Sequence, residues 1–165
     1  MTLEQRIQRL EDIEAIKFVM GTYFRCLDCK EYEVDQLGAC FTDDIKTEYC
    51  DGKLVLEGRE QIRDFFRKAM GNERLTMHNG HTPEIDFIDD TTAIAHWYLH
   101  DMLAQIDIDR GVYGGAIYTI KYKKTNGKWQ INWIGYKRTY EEHWTRSKPW
   151  DRHISENMFG EPEGD

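Results

Sequence analysis

The chain has 165 residues, with 22 Lys and Arg against 30 Asp and Glu and a formal charge of -8. That length suits one domain with a sizeable core and is short for two. The acidic balance, with basic residues dispersed and not gathered into a stripe, would repel phosphate backbones and argues against nucleic acid as a partner. No apolar run reaches the length that crosses a bilayer, and the segment Met1-Thr2-Leu3-Glu4-Gln5-Arg6 lacks the basic and apolar parts of a signal peptide. The expected location is therefore the cytoplasm, with no membrane partner.

Leu3, Ile7, Leu10, Ile13, Ile16, Met20 and Tyr23 recur at steps of three and four, predicting one amphipathic helix over residues 3 to about 26 whose stripe must lie on something. Cys26, Cys29, Cys40 and Cys50 fall in the first third, where a reducing compartment keeps them as thiols. Cys26-x-x-Cys29 has no second pair downstream and no βαβ context, so ordinary semi-buried cysteines are the better reading. A shorter helical stretch is expected around Glu33 to Phe41. Residues 45–49 and 53–56 read as a hairpin about Asp51-Gly52, a pair that supplies the positive φ of a tight turn. Residues 60–70 place Ile62, Phe65, Phe66 and Ala69 on one helical face, and Gly71-Asn72 stops that helix. Long strands follow over 75–88, 91–108, 112–123 and 128–140, joined by Asp89-Asp90, a Gly/Asp/Arg stretch and Asn126-Gly127.

Helices first and then a meander of long antiparallel strands predict an α+β domain. Its curved, mostly antiparallel sheet wraps around the long N-terminal helix to make a cone, because only the helices can cover one sheet face. Residues 1–145 form this domain, and 146–165 are expected to be a C-terminal tail. The 5 Trp, 9 Tyr and 7 Phe suit a deep apolar pocket with flat walls and hydroxyl handles; a well-filled β core would use them equally.

On the strand 91–103, Ala93, Ala95, Trp97, Leu99, Asp101 and Leu103 share one parity. Asp101 is the one charge on that face, so it is a candidate functional acid unless a bulge turns it to solvent. Thr76-Met77-His78-Asn79-Gly80-His81-Thr82 carries two imidazoles on opposite faces of the preceding strand. At most one points inward, and parity does not choose, since Gly80 and Pro83 both invite irregular backbone. Tyr23 and Asp28 lie where the first helix ends; a Tyr hydroxyl in a cavity can donate to a ligand carbonyl as an oxyanion stabiliser does. Zinc through His78, His81 and an aspartate lacks a recognised spacing. Neither a glycine-rich phosphate loop nor a Ser or Cys nucleophile motif is present.

The order of elements resembles the nuclear-transport-factor-2-like superfamily, which includes SnoaL-like polyketide cyclases, ketosteroid isomerase and scytalone dehydratase. A closer resemblance is to the bacterial bile acid 7α-dehydratases. It runs through Asp12-Ile13-Glu14-Ala15-Ile16-Lys17, Tyr23-Phe24-Arg25-Cys26-Leu27-Asp28, Asp51-Gly52-Lys53-Leu54-Val55, Lys68-Ala69-Met70 and Met77-His78. It continues in Gly80-His81-Thr82-Pro83-Glu84-Ile85, Trp97-Tyr98-Leu99 with Asp101, Gly114-Gly115-Ala116, and Gly135-Tyr136 with Arg138 and Glu141-Glu142-His143. Asn79, His100 and the acidic tail Glu161-Pro162-Glu163-Gly164-Asp165 depart from the family pattern.

The resemblance implies catalytic roles for Tyr23, Asp28, His78 and Asp101, choosing His78 over His81. It implies substrate contacts at Tyr49 and Arg138, and Trp97 and Tyr113 are expected to bind substrate beside them. It also implies a hydro-lyase that removes water from a 7α-hydroxy-3-oxo-Δ4 steroid without metal or redox cofactor, and a homo-oligomer, dimer or trimer, formed through exposed sheet faces. On this expectation His78, oriented by Asp28 or Asp101, moves a proton from carbon to leaving group, while Tyr23 or Tyr49 steadies the polar end of the substrate. The competing expectations keep the cone and change its use: isomerisation or cyclisation with an aspartate as base, or non-catalytic binding of a small ligand.

Overall fold

Thr2 opens the first helix, α1 (Leu3–Asp28), through a capping box. Its hydroxyl accepts from the Gln5 main-chain N–H at 3.2 Å, and the Gln5 side chain accepts from the Thr2 N–H at 2.8 Å. The computed structural model describes residues 1–31, 35–50, 52–71, 73–148 and 150–157. Glu33 of the expected second helix, Asp51 and Asn72 of the expected turns, and the acidic tail 161–165 lie outside them.

The expected apolar stripe of α1 divides in two. Asp12, Ile16, Met20, Tyr23, Phe24, Cys26 and Leu27 are buried, whereas Leu3 (65% exposed), Ile7 (48%) and Leu10 (63%) face solvent. The cause is geometric. From Leu3 to Tyr23 the steps are mostly of three, shorter than the 3.6-residue turn, so the row winds around the helix and its ends lie about 200° apart. Asp12 anchors the buried side, accepting from the Trp129 indole at 2.9 Å and from Lys124 at 2.7 Å. Burial works to raise the Asp12 pKa, but those two partners outweigh it and hold the carboxyl below its ordinary range.

After α1 come α2 (Asp35–Ala39), β1 (Phe41–Tyr49), β2 (Leu54–Glu57) and α3 (Arg59–Ala69), which buries Ile62 and Phe66. The strands β3 (Arg74–Phe87), β4 (Thr92–Gln105), β5 (Arg110–Thr125) and β6 (Lys128–Thr145) form the expected meander. Among the described residues the strands form a curved, open, mixed sheet of seven whose path runs β2-β1-β6-β5-β4-β3, with β1 parallel to β6 and the other pairs antiparallel. The Asn126-Gly127 turn has both residues at positive φ, 52° and 77°, as a two-residue hairpin between right-twisted strands requires. The expected tail is partly built into the sheet: β7 (Arg152–Asn157) folds back and pairs antiparallel with the end of β6, His143 opposite His153. Among the described residues no helix is long and apolar enough to cross a membrane.

Candidate active site

Strand parity decides which side chains meet α1. On β4 the register with β5 is unbroken from Thr92 to Gln105, so no bulge diverts Asp101, which is 4% exposed on the same face as Trp97 and Leu99. On β3 the irregularity falls between His81 and Glu84, where Thr82 has φ 40°. The backbone before it is regular. His78 therefore shares the inner face with Thr76 and Gly80, directly opposite Asp101, while His81 is exposed.

The last turn of α1 brings Asp28 to this face. His78 Nδ1 lies 2.6 Å from Asp28 Oδ1, the His78 main-chain N–H donates to Asp28 Oδ2 at 3.0 Å, and the Thr76 hydroxyl donates to Oδ1 at 2.9 Å. Three donors on one strand thus hold one carboxylate. A carboxylate partner makes Nδ1 the protonated nitrogen and leaves Nε2 as the ring's lone pair. Burial works to raise the Asp28 pKa, and the bonds from the His78 ring, the His78 main chain and Thr76 outweigh it, so the group sits below its ordinary value. Stability contributed by a depressed carboxylate is complete above its unfolded pKa of about 4 and is lost as pH falls through the folded value. Urea midpoints between those limits should therefore fall more steeply with acid in the wild type than in Asp28→Asn.

Asp101 takes a different partner. Arg138 grips it with both terminal nitrogens, Nη1 to Oδ1 at 2.6 Å and Nη2 to Oδ2 at 2.9 Å, and its Nε meets Glu141 Oε2 at 3.0 Å. A register shift in β6 permits this: Gly115 faces Tyr140 but Ala116 faces Arg138, so Arg138 and Glu141, three residues apart, share the inner face. Gly114, opposite Asp101, leaves the space, since a Cβ there would come within 2.9 Å of the Tyr140 carbonyl and 3.1 Å of Arg138 Nη1. Burial alone would lower the Arg138 pKa, but the two acids raise it and the guanidinium stays a cation. The aspartate that orients His78 is Asp28. Arg138, expected to contact substrate, has its fork filled by Asp101.

Aromatic rings pack the rest of the inner face. The Phe24 ring lies parallel to the His78 imidazole at 5.8 Å, with Tyr118 stacked on it at 6.2 Å. The hydroxyls of Tyr23 and Tyr49 meet at 3.3 Å, both buried. Burial pushes the Tyr49 pKa up to about 12 and raises that of Tyr23 as well, so both remain O–H donors. Gly80 is the mould for this packing: a Cβ there would lie 2.6 Å from the Phe24 ring edge and 3.3 Å from Trp97. Rings on several sides prevent Phe24 from yielding, so Gly80→Ala should lower stability by about 1–3 kcal/mol, read from the urea midpoint.

Tyr113, expected to bind substrate, lies away from the face that holds His78 and Asp101. On β5 every second residue from Val112 to Tyr122 is buried, so Tyr113 has the opposite parity and packs on the outer face against His100, with ring centroids 4.7 Å apart. Tyr118 fills the inner position instead. Sequence reasoning also passed over Thr76, which shares His78's parity, and Glu141, which only the β6 irregularity turns inward. A cavity of 410 Å³ lies beside the outer face, lined by His96, Ile117, Thr119, Trp133 and Thr139, with Tyr136 and Arg138 also touching it; His78 and Tyr23 do not.

Solved structures share this architecture. A hexachlorocyclohexane dehydrochlorinase, LinA type 3 from Novosphingobium barchaimii, superposes with a TM-score of 0.74 at 16% identity over 82% of this chain and 92% of that one. A candidate scytalone dehydratase from Novosphingobium aromaticivorans gives 0.75 at 20% identity over 82% and 89%. ActVI-ORFA from Streptomyces coelicolor gives 0.64 at 12% identity over 76% and 96%. At these identities the likeness is one of fold. The sequence model of the SnoaL-like domain matches residues 8–133, from the second turn of α1 into β6. The chain belongs to the SnoaL-like domain family.

Proposed function

We propose that this protein is a lyase that eliminates water from a hydroxysteroid of the 7α-hydroxy-3-oxo-Δ4 type, using His78 as the proton carrier. The observation that carries the reading is the 2.6 Å bond between His78 Nδ1 and Asp28, which fixes the tautomer and leaves Nε2 as a base. Nε2 takes the allylic proton acidified by the enone, and the electron pair of that C–H bond passes into a dienolate. The dienolate then expels the 7α-oxygen, which leaves as water with the proton returned by the imidazolium. Tyr23 and Tyr49 form a two-hydroxyl relay; one O–H donates within the pair and the other is available to the developing oxyanion.

The named activities of two structural neighbours, dehydrochlorination and scytalone dehydration, support an elimination, since each removes a small group together with a proton. The apolar side chains Phe24, Trp97, Leu99 and Tyr118 on the inner face support an apolar, steroid-like substrate. Exposed Tyr98 and Met102 on the outer sheet face support assembly into a homo-oligomer, dimer or trimer, and the location we propose for it is the cytoplasm. Incubating the pure protein with 3-oxo-Δ4 steroids, with and without the 7α-hydroxyl, and recording product masses tests the reading. Loss of one water from the hydroxylated members alone is expected. Recovery of every steroid unchanged would refute it.

A further inference from the structure

Helix α1 presents a second apolar seam that the fold does not use. Leu3, Ile7 and Leu10 are 65%, 48% and 63% exposed, and they lie on the side of the helix away from the sheet. The opposite side is the anchored one, where Arg9 sits 3.8 Å over the Phe87 ring and Asp12 holds Lys124 and Trp129. Spacings of four and three make Leu3, Ile7 and Leu10 successive d, a and d positions of a heptad. Isoleucine at a with leucine at d is the combination that favours two parallel strands.

The flanks carry matching charges. In the same heptad Arg6 occupies g and Glu11 the following e; both are exposed, and among the described residues neither side chain is in an ion pair. In a parallel pair, g of one helix faces the next e of its partner, so Arg6 would meet Glu11 of a second copy twice, once on each side of the seam. An antiparallel pair would set Glu11 near Glu11 and Arg6 near Arg6. The seam ends at Glu14 and Lys17, which occupy the next a and d positions and are paired with each other at 2.7 Å.

From this pattern we infer that α1 is a docking surface for a second copy of the chain, pairing in parallel about a two-fold axis through Leu3, Ile7 and Leu10. The helix is already formed, capped at Thr2 and held down at Asp12, so association does not have to fund helix nucleation. Because the seam faces away from the sheet, the two domains diverge from the axis and the site around His78 stays clear of the contact.

Sedimentation velocity over a concentration series tests the inference. The wild type should show a two-fold association step that Ile7→Glu with Leu10→Glu weakens by at least about tenfold. Circular dichroism and urea midpoints should remain those of the wild type, because the altered side chains are exposed. Arg6→Glu and Glu11→Arg should each weaken association alone, and an equimolar mixture of the two variants should restore it, since each Arg–Glu contact is then complementary. Wild-type and Ile7→Glu/Leu10→Glu masses that coincide at every concentration would overturn the inference, leaving any assembly to the outer sheet face. Two charge variants that each associate as tightly as the wild type would overturn it too, because antiparallel pairing sets like charges against each other in the wild type and in both variants alike.

Discussion

Replacing His78 with Ala is expected to lower the rate of elimination by about 10²- to 10⁴-fold, the range that one positioned general acid-base supplies. The fold should survive, because the imidazole is held by one side-chain bond and one ring stack, to Asp28 and Phe24, and neither organises the sheet. Asp28→Asn should approach the same loss by another route. An asparagine can present its NH₂ to Nδ1 and favour the tautomer with the proton on Nε2, which removes the base while keeping the shape. The His78 main chain would still donate to the remaining oxygen, and the Thr76 hydroxyl, which donates to the oxygen that the NH₂ replaces, can rotate to accept from it, so the asparagine should seat in place. Single-turnover absorbance of the extended conjugated product, beside a circular dichroism spectrum of each variant, separates the chemical loss from a folding loss. A His78→Ala protein that eliminates water at the wild-type rate would sink the assignment.

Removing the Asp101 carboxylate should have its main effect on stability. Asp101→Ala leaves the Arg138 guanidinium buried beside a single remaining acid, Glu141, and an uncompensated buried charge costs about 3–5 kcal/mol. For a domain of this size that corresponds to a fall in Tm of about 10 °C. Replacing both partners, Asp101→Leu with Arg138→Met, should recover most of the loss, because an apolar pair of similar volume needs no counter-charge. Calorimetry of the single and double variants measures the difference directly. If Asp101→Ala melts with the wild type, the pair is not the buried ion pair its distances describe. The pairing also bears on the competing chemistry of isomerisation or cyclisation with an aspartate as base. Both Asp101 oxygens accept from Arg138, and both Asp28 oxygens accept from β3, so each carboxylate is already engaged, whereas Nε2 of His78 is not committed by the tautomer.

The long strands and the inner parity of β4 could be read from the chain because alternation along a strand is strict while its register is unbroken. Asp101 is the clearest case: one charge among Ala95, Trp97 and Leu99, found where the pattern puts it. Where irregular backbone intervenes, pattern alone fails. The choice between His78 and His81 depended on whether the bulge fell before or after His81. Glu141 depended on an extra residue in β6 that no turn signal marks. Tyr113 lies on the face opposite the one that buries Val112 and Tyr118, a distinction that strand parity carries. The stripe of α1 misled for a different reason. Steps of three and four look alike over two turns, and only their accumulated drift carries Leu3 to the far side from Tyr23. The partner of His78 was narrowed to Asp28 or Asp101, and the choice between them was out of reach, since Asp28 and His78 are 50 residues apart and meet only through the packing of α1 on β3.

The claim at the centre of this account is that His78 carries a proton from an allylic carbon to a departing hydroxyl. It is tested most directly with a 7α-hydroxy-3-oxo-Δ4 steroid fully deuterated at that carbon, by recording the mass of the product and the isotope effect on kcat/KM. The account predicts a diene that has lost the hydroxyl and one deuterium, together the mass of HDO, and keeps the other deuterium, with a primary isotope effect that disappears together with activity in His78→Ala. A dehydrated product that keeps all its deuterium, formed equally well without His78, would contradict it.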